Sequence, residues 1–148
     1  WHADDDIGHK LDEVSGIGLL TASALKTAGG KPERFASGRH LSAWLGMTPN
    51  EYSSGERRRL GCISCKGNTY VRTLLIHGAR AALLAAKRCQ TRTPERLTQL
   101  QRWALQTAER IGHNKAAVAL ANKLVRICWA VWCHERRFSG DWQSARPA

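Results

Sequence analysis

Val14-Ser15-Gly16-Ile17-Gly18-Leu19 decides how the opening of this 148-residue chain is read. Two glycines one residue apart, among apolar side chains, end one helix and start another. Glycine takes positive φ at little steric cost and lets backbone come close to a neighbouring surface. Before the turn, about Asp4 to Val14 reads as a short helix with Ile7 and Leu11 on one face. After it, Leu19 to Ala28 reads as a second helix, with Leu20, Ala24 and Ala28 recurring at spacing four. This is the pattern of a helix-hairpin-helix. Gly16, Gly18 and the free N–H groups opening the second helix can hold one phosphate oxygen, helped by the helix dipole. Such a contact grips a nucleic-acid backbone and reads no sequence. The same residues also fit an ordinary corner in which glycine only permits the bend.

Outward from the turn, the chain reads as mainly α with one interruption. Gly29-Gly30 and Pro32 stop the second helix, and Ser37 caps a short one carrying Leu41, Trp44 and Leu45. Tyr52 to Cys65 is poor in apolar residues and suits a small irregular β-hairpin or loop. Gly67-Asn68 then starts a long helix, Thr69 to Lys87, with Val71, Leu74, Leu75, Gly78, Ala82 and Leu83 facing inward. Thr93-Pro94 reads as a cap followed by a first-turn proline, opening a helix that runs to about Ile111. Asn114 reads as the cap of the last helix, Lys115 to about Arg137. Val118, Ala121, Val125, Trp129 and Trp132 lie on one stripe of it. Trp44, Trp129 and Trp132 read as core aromatics. An alternative turns Val125, Trp129 and Trp132 toward another subunit. The expected organisation is one domain over 1–137 with a tail over 138–148.

Hydrophobic residues make up 43% of the chain and charged residues 24%, which are globular proportions. The net charge is +11, unevenly spread: Asp4, Asp5, Asp6, Asp12 and Glu13 crowd the first thirteen residues. From Val14 onward 22 bases face 7 acids, a net of +15. A domain of that charge gathers polyanions, so nucleic acid is the expected partner. No segment approaches the roughly 18 apolar residues needed to span a bilayer, and no signal peptide is visible, so no membrane role is expected. The chain starts at Trp1 and its one methionine is Met47, so it is expected to be a piece of a longer protein. Cys62 and Cys65 form a C-x-x-C without a second pair. That spacing argues for reduced thiols rather than zinc.

Ser53-Ser54-Gly55-Glu56-Arg57-Arg58-Arg59 carries the candidate chemistry. A serine attacking a phosphodiester needs an exposed Oγ and cations for the charge on the phosphoryl oxygens. Arg57, Arg58 and Arg59 could clamp phosphate in this way, with Lys66 and Arg72 adding charge beyond the hairpin. On the residues alone, a solvated Ser-Gly turn beside a basic run is the simpler account. After Glu13 the acids are scattered singly, so no metal site is expected in this chain.

Several blocks in order resemble one family. Val14-Ser15-Gly16-Ile17-Gly18-Leu19-Leu20-Thr21-Ala22 is similar to its Pro-Gly-hydrophobic-Gly-x-x-Thr-Ala opening, with Ser15 in place of proline. The run from Phe35 through Arg39, Ala43 and Gly46 to Pro49 resembles its second block. Ser53-Ser54-Gly55 and the run from Leu60 to Arg80 resemble the third, and Ala116 to Lys123 with Arg126-Ile127 its closing helix. The family is that of the insertion-sequence transposases of the IS110 type, IS1111 branch, related to the pilin-gene invertases. The resemblance implies a C-terminal transposase domain, whose RuvC-like partner domain, absent from this chain, holds Mg²⁺ through four acidic ligands. It implies a composite site in which a serine before glycine attacks DNA and forms a phosphoserine intermediate. Counted from Pro49 that serine is Ser54, with Ser53 the near alternative. It further implies guidance by an element-encoded RNA, a dimer or tetramer, and a bacterial cytoplasmic, nucleoid-associated setting. The alternative is a helix-hairpin-helix module that binds nucleic acid without chemistry.

Overall fold

A computed structural model describes residues 6–51, 55–56 and 60–140. The order is α1 (Asp6–Asp12), α2 (Leu19–Gly29), a 3₁₀ turn (Pro32–Arg34), α3 (Gly38–Trp44), β1 (Pro49–Glu51) and β2 (Leu60–Ile63). Then follow α4 (Thr69–Arg92), a second 3₁₀ turn (Pro94–Arg96), α5 (Gln99–Ile111) and α6 (His113–His134). The fold is mainly α, as the periodicity predicts.

Side-chain caps set several helix starts. Ser37 Oγ accepts from the His40 N–H at 3.4 Å, and Asn68 Oδ1 accepts from the Val71 N–H at 3.1 Å. These satisfy donors that the first helical turn leaves free. Thr93-Pro94 does not open α5. Thr98 and Gln101 form a reciprocal capping box, with N–H to oxygen distances of 3.3 and 3.0 Å, and α5 starts after it. Pro94 stops α4 instead, which runs five residues past Lys87 to Arg92. Asn114 is not the cap of α6 either. Gly112, at φ 90°, holds that position, and its carbonyl accepts from the Ala116 N–H.

α6 is the central helix, packed against α1, α3, α4 and α5. Leu120, Ala121, Leu124, Val125, Cys128 and Trp132 are buried along it. Val125 and Trp132 therefore face the core, which overturns their alternative placement toward another subunit. Trp129 is half-buried, and its Nε1 donates to the Pro32 carbonyl at 3.3 Å. Trp44 departs from the core expectation: it is 37% exposed and leans on Phe35, ring centroids 5.4 Å apart. α6 is long and apolar enough, by length and composition alone, to cross a membrane, and half of its apolar stretch is buried inside the fold. By length and composition α6 thus departs from the expectation that no segment is apolar enough, because Lys123 and Arg126 interrupt it without making the helix polar.

Of the residues recurring at spacing four on α2, Ala24 and Ala28 pack partly against the core and Leu20 does not. Thr21, Ala22, Leu25 and Gly29 point inward, while Leu20 is 61% exposed. Gly29 packs closely on α6, since a Cβ there would lie 3.1 Å from the Trp132 ring. The buried face of α4 is Val71, Arg72, Leu75, Ala79, Leu83 and Ala86, with Leu74 only half-buried. Past α6, Phe138 packs on the core and the Gly140 carbonyl accepts from the Leu100 N–H at 3.1 Å, so the packed chain extends into the expected tail.

β1 and β2 pair antiparallel, Pro49 with Ile63 and Glu51 with Leu60, with an irregular step between the two pairs. The base of this hairpin is tied down. The Ser64 N–H donates to the Thr48 carbonyl at 2.9 Å and the Cys65 N–H to the Gly46 carbonyl at 3.2 Å. Met47, just before β1, is fully buried.

Candidate nucleic-acid interface

Between α1 and α2 the turn is anchored by Val14 and Ile17, both buried, with the Ile17 N–H on the Val14 carbonyl at 2.9 Å. Its two glycines do different work. Gly16, at φ 86°, has its backbone pressed against α4: a Cβ there would lie 2.6 Å from the Gly78 carbonyl oxygen. Gly16 is thus held against α4 by packing. Gly18 caps α2 without a side-chain bond, is exposed, and has nothing within 4 Å of where a Cβ would be. The open side of the turn is thus the Gly18 side, flanked by exposed Leu19 and Leu20.

In chain order Ser53, Ser54, Arg57, Arg58 and Arg59 fall between β1 and β2 and lie outside the described residues. Gly55 and Glu56 are described and exposed, Gly55 at φ 60°. Lys66 is exposed beyond β2. Arg72 is not on the surface. It is 8% exposed, and its guanidinium donates to the Leu45 carbonyl at 3.2 Å and to Thr69 Oγ1 at 3.4 Å. It ties α4 to the end of α3, satisfying a carbonyl that the helix terminus leaves free. The expected phosphate contact at Arg72 is corrected accordingly. The spacing Arg72, Leu75, Ala79, Leu83 was the available signal, since it places the arginine on the apolar stripe.

Ion pairs join Lys10 to Asp6 and Arg137 to Glu13, using acids of the first thirteen residues. Among the described residues no group of three or more His, Cys, Asp or Glu could hold a metal ion. Cys62 and Cys65 are exposed free thiols, whereas burial pushes the Cys128 thiol up to about 12.

The described residues form a small helical domain with an exposed glycine-capped helix start, in a chain with a surplus of cations. The chain belongs to the transposase IS116/IS110/IS902 family, whose profile it matches over residues 8–95. It is 44% identical over 126 residues to a probable family 20 transposase of Pseudomonas aeruginosa, a match covering 85% of this chain and 35% of that protein. It is 37% identical over 129 residues to the transposase for insertion sequence element IS1111A of Coxiella burnetii, covering 87% and 34%. With the transposase for insertion sequence element IS1328 of Yersinia enterocolitica it shares 35% over 137 residues, covering 93% and 39%. The chain spans about a third of the length of these relatives.

Proposed function

We propose that this chain is the DNA-binding, serine-bearing part of a transposase that moves an insertion sequence. The observation that carries the reading is membership of the transposase family, and the charge of +15 from Val14 onward agrees with it. In this proposal Ser54 is the nucleophile. Its Oγ bonds to a backbone phosphorus as a nucleoside hydroxyl leaves, and the DNA stays on the protein as a phosphoserine. Arg57, Arg58, Arg59 and Lys66 stabilise the charge on the phosphoryl oxygens. The Gly18 end of α2 holds a backbone phosphate away from the reacting one, as a helix-hairpin-helix does. The described residues do not fit Mg²⁺. The carboxylates for that metal belong, in this reading, to a RuvC-like domain outside this chain, and the site is completed between copies of the protein in the bacterial cytoplasm. An element-encoded guide RNA is part of the same proposal.

In the transposase that carries this chain, Ser54→Ala should abolish the covalent protein–DNA adduct and leave DNA binding nearly unchanged, with Ser53→Ala far milder. Adduct loss with Ser53→Ala alone would move the nucleophile by one residue. Full adduct formation by both variants would overturn the serine assignment and put the nucleophile on another residue.

A further inference from the structure

Two cations of α6, Lys123 and Arg126, are joined by one remote in sequence, Arg39, where α3 crosses α6. The helices meet backbone to backbone there: a Cβ on Gly38 would lie 2.9 Å from the Arg126 Cα. A second tie links Ser42 Oγ with Asn122 Oδ1. This crossing sets Arg39, the residue after Gly38, beside Arg126, which lies one turn from Lys123 along α6. Arg126 feels the charge of Arg39, and Lys123 that of Arg126. Burial first, and then the Arg39 charge, lower the proton affinity of Arg126; burial and then Arg126 do the same for Lys123.

Among the described residues no carboxylate pairs with Arg39, Lys123 or Arg126. Like charges held close by packing destabilise a fold unless an anion neutralises them. Lys123 Nζ lies 4.3 Å from the Trp103 ring centroid, so the ammonium covers the aromatic face where a base could otherwise stack. The cluster is thus suited to phosphate oxygens rather than to bases. Two guanidinium forks match those oxygens in geometry as well as in charge.

We infer that Arg39, Lys123 and Arg126 form a second phosphate-backbone site on the α3–α6 face, built from residues outside the β1–β2 hairpin and α2. It rests on the nucleic-acid binding proposed above and adds to it a second surface, so that one nucleic acid, or two, can be held at separate faces of the domain.

The test measures binding of the 148-residue chain to a short mixed-sequence DNA duplex, and to an RNA duplex of the same length, across a salt series. Replacing Arg39, Lys123 and Arg126 together by Gln should flatten the slope of log affinity against log salt by about 2 to 3, at roughly 0.9 per lost phosphate contact on a duplex. The control replaces exposed Arg88, Arg92 and Lys115 by Gln. An unchanged slope in the first variant, or an equal loss in the control, overturns the site. A second measurement needs no variant: lysine acylation of the unaltered chain should show Lys123 protected by duplex while Lys115 stays reactive. Protection by only one of the two duplexes assigns the backbone to DNA or to RNA, and no protection by either overturns the site. If the unaltered chain binds neither duplex, the proposed function itself fails; if it binds and only these arms fail, that proposal stands without the second site.

Discussion

Arg72 shows how much one side chain can change its meaning between sequence and structure. As a letter it is one more cation after a basic hairpin. In place, it is 8% exposed and donates to the Leu45 carbonyl. Arg72→Met keeps most of the apolar stem and removes the donors, so a buried carbonyl loses its partner, at a cost of about 1–3 kcal/mol. The expected result is a lower midpoint in urea unfolding with an unchanged salt slope for DNA binding. A slope reduced by about one, with stability intact, would return Arg72 to the phosphate contacts. Gly16 and Gly18 divide in the same way. They look equivalent in the sequence, yet only Gly16 has another backbone against it.

Among the elements, the α1–α2 turn against α4 is the contact most open to a decisive substitution. Gly78 is interior to α4, where alanine is ordinarily favoured over glycine by about 1 kcal/mol. Here the Gly16 carbonyl lies where the added Cβ would go. Gly78→Ala should therefore destabilise the fold by about 2 kcal/mol, the net of overpacking against helix propensity. Thermal or urea unfolding checks the sign, and a stabilised variant would mean that the turn does not rest on α4. Element boundaries were legible where a local hydrogen bond sets them, as at Ser37 and Asn68. They were misread at Thr93-Pro94, because the competing Thr98–Gln101 box lies only a few residues on and satisfies two groups at once. On α2 the helical spacing of Leu20, Ala24 and Ala28 was legible, but only the tertiary packing shows that Ala24 and Ala28 reach the core while Leu20 stays exposed.

For the molecule as a whole, the place of α6 at the centre has a chemical signature in the thiols. Cys128 is fully buried on α6 with its thiol pushed up to about 12, while Cys62 and Cys65 are exposed. At pH 8 the Cys128 thiolate fraction is about one in ten thousand, before any loss of access is counted. Labelling with a thiol reagent should modify Cys62 and Cys65 quickly and reach Cys128 only on unfolding. Labelling of Cys128 at the rate of Cys62 would contradict a central α6.

The sequence by itself determined the mainly α class, the hairpin between α3 and α4, the resemblance to the transposase family and the polyanion-seeking charge. Each of these follows from periodicity, turn chemistry, composition or motif order over neighbouring residues. Only the tertiary structure decided that Val125 and Trp132 face inward, that Arg72 ties α4 to α3, and that Arg39 stands beside Arg126. Those outcomes depend on which helices cross and at which residue. Gly38 against Arg126 and Gly16 against Gly78 are backbone meetings across long stretches of chain, and no local pattern of side chains records them.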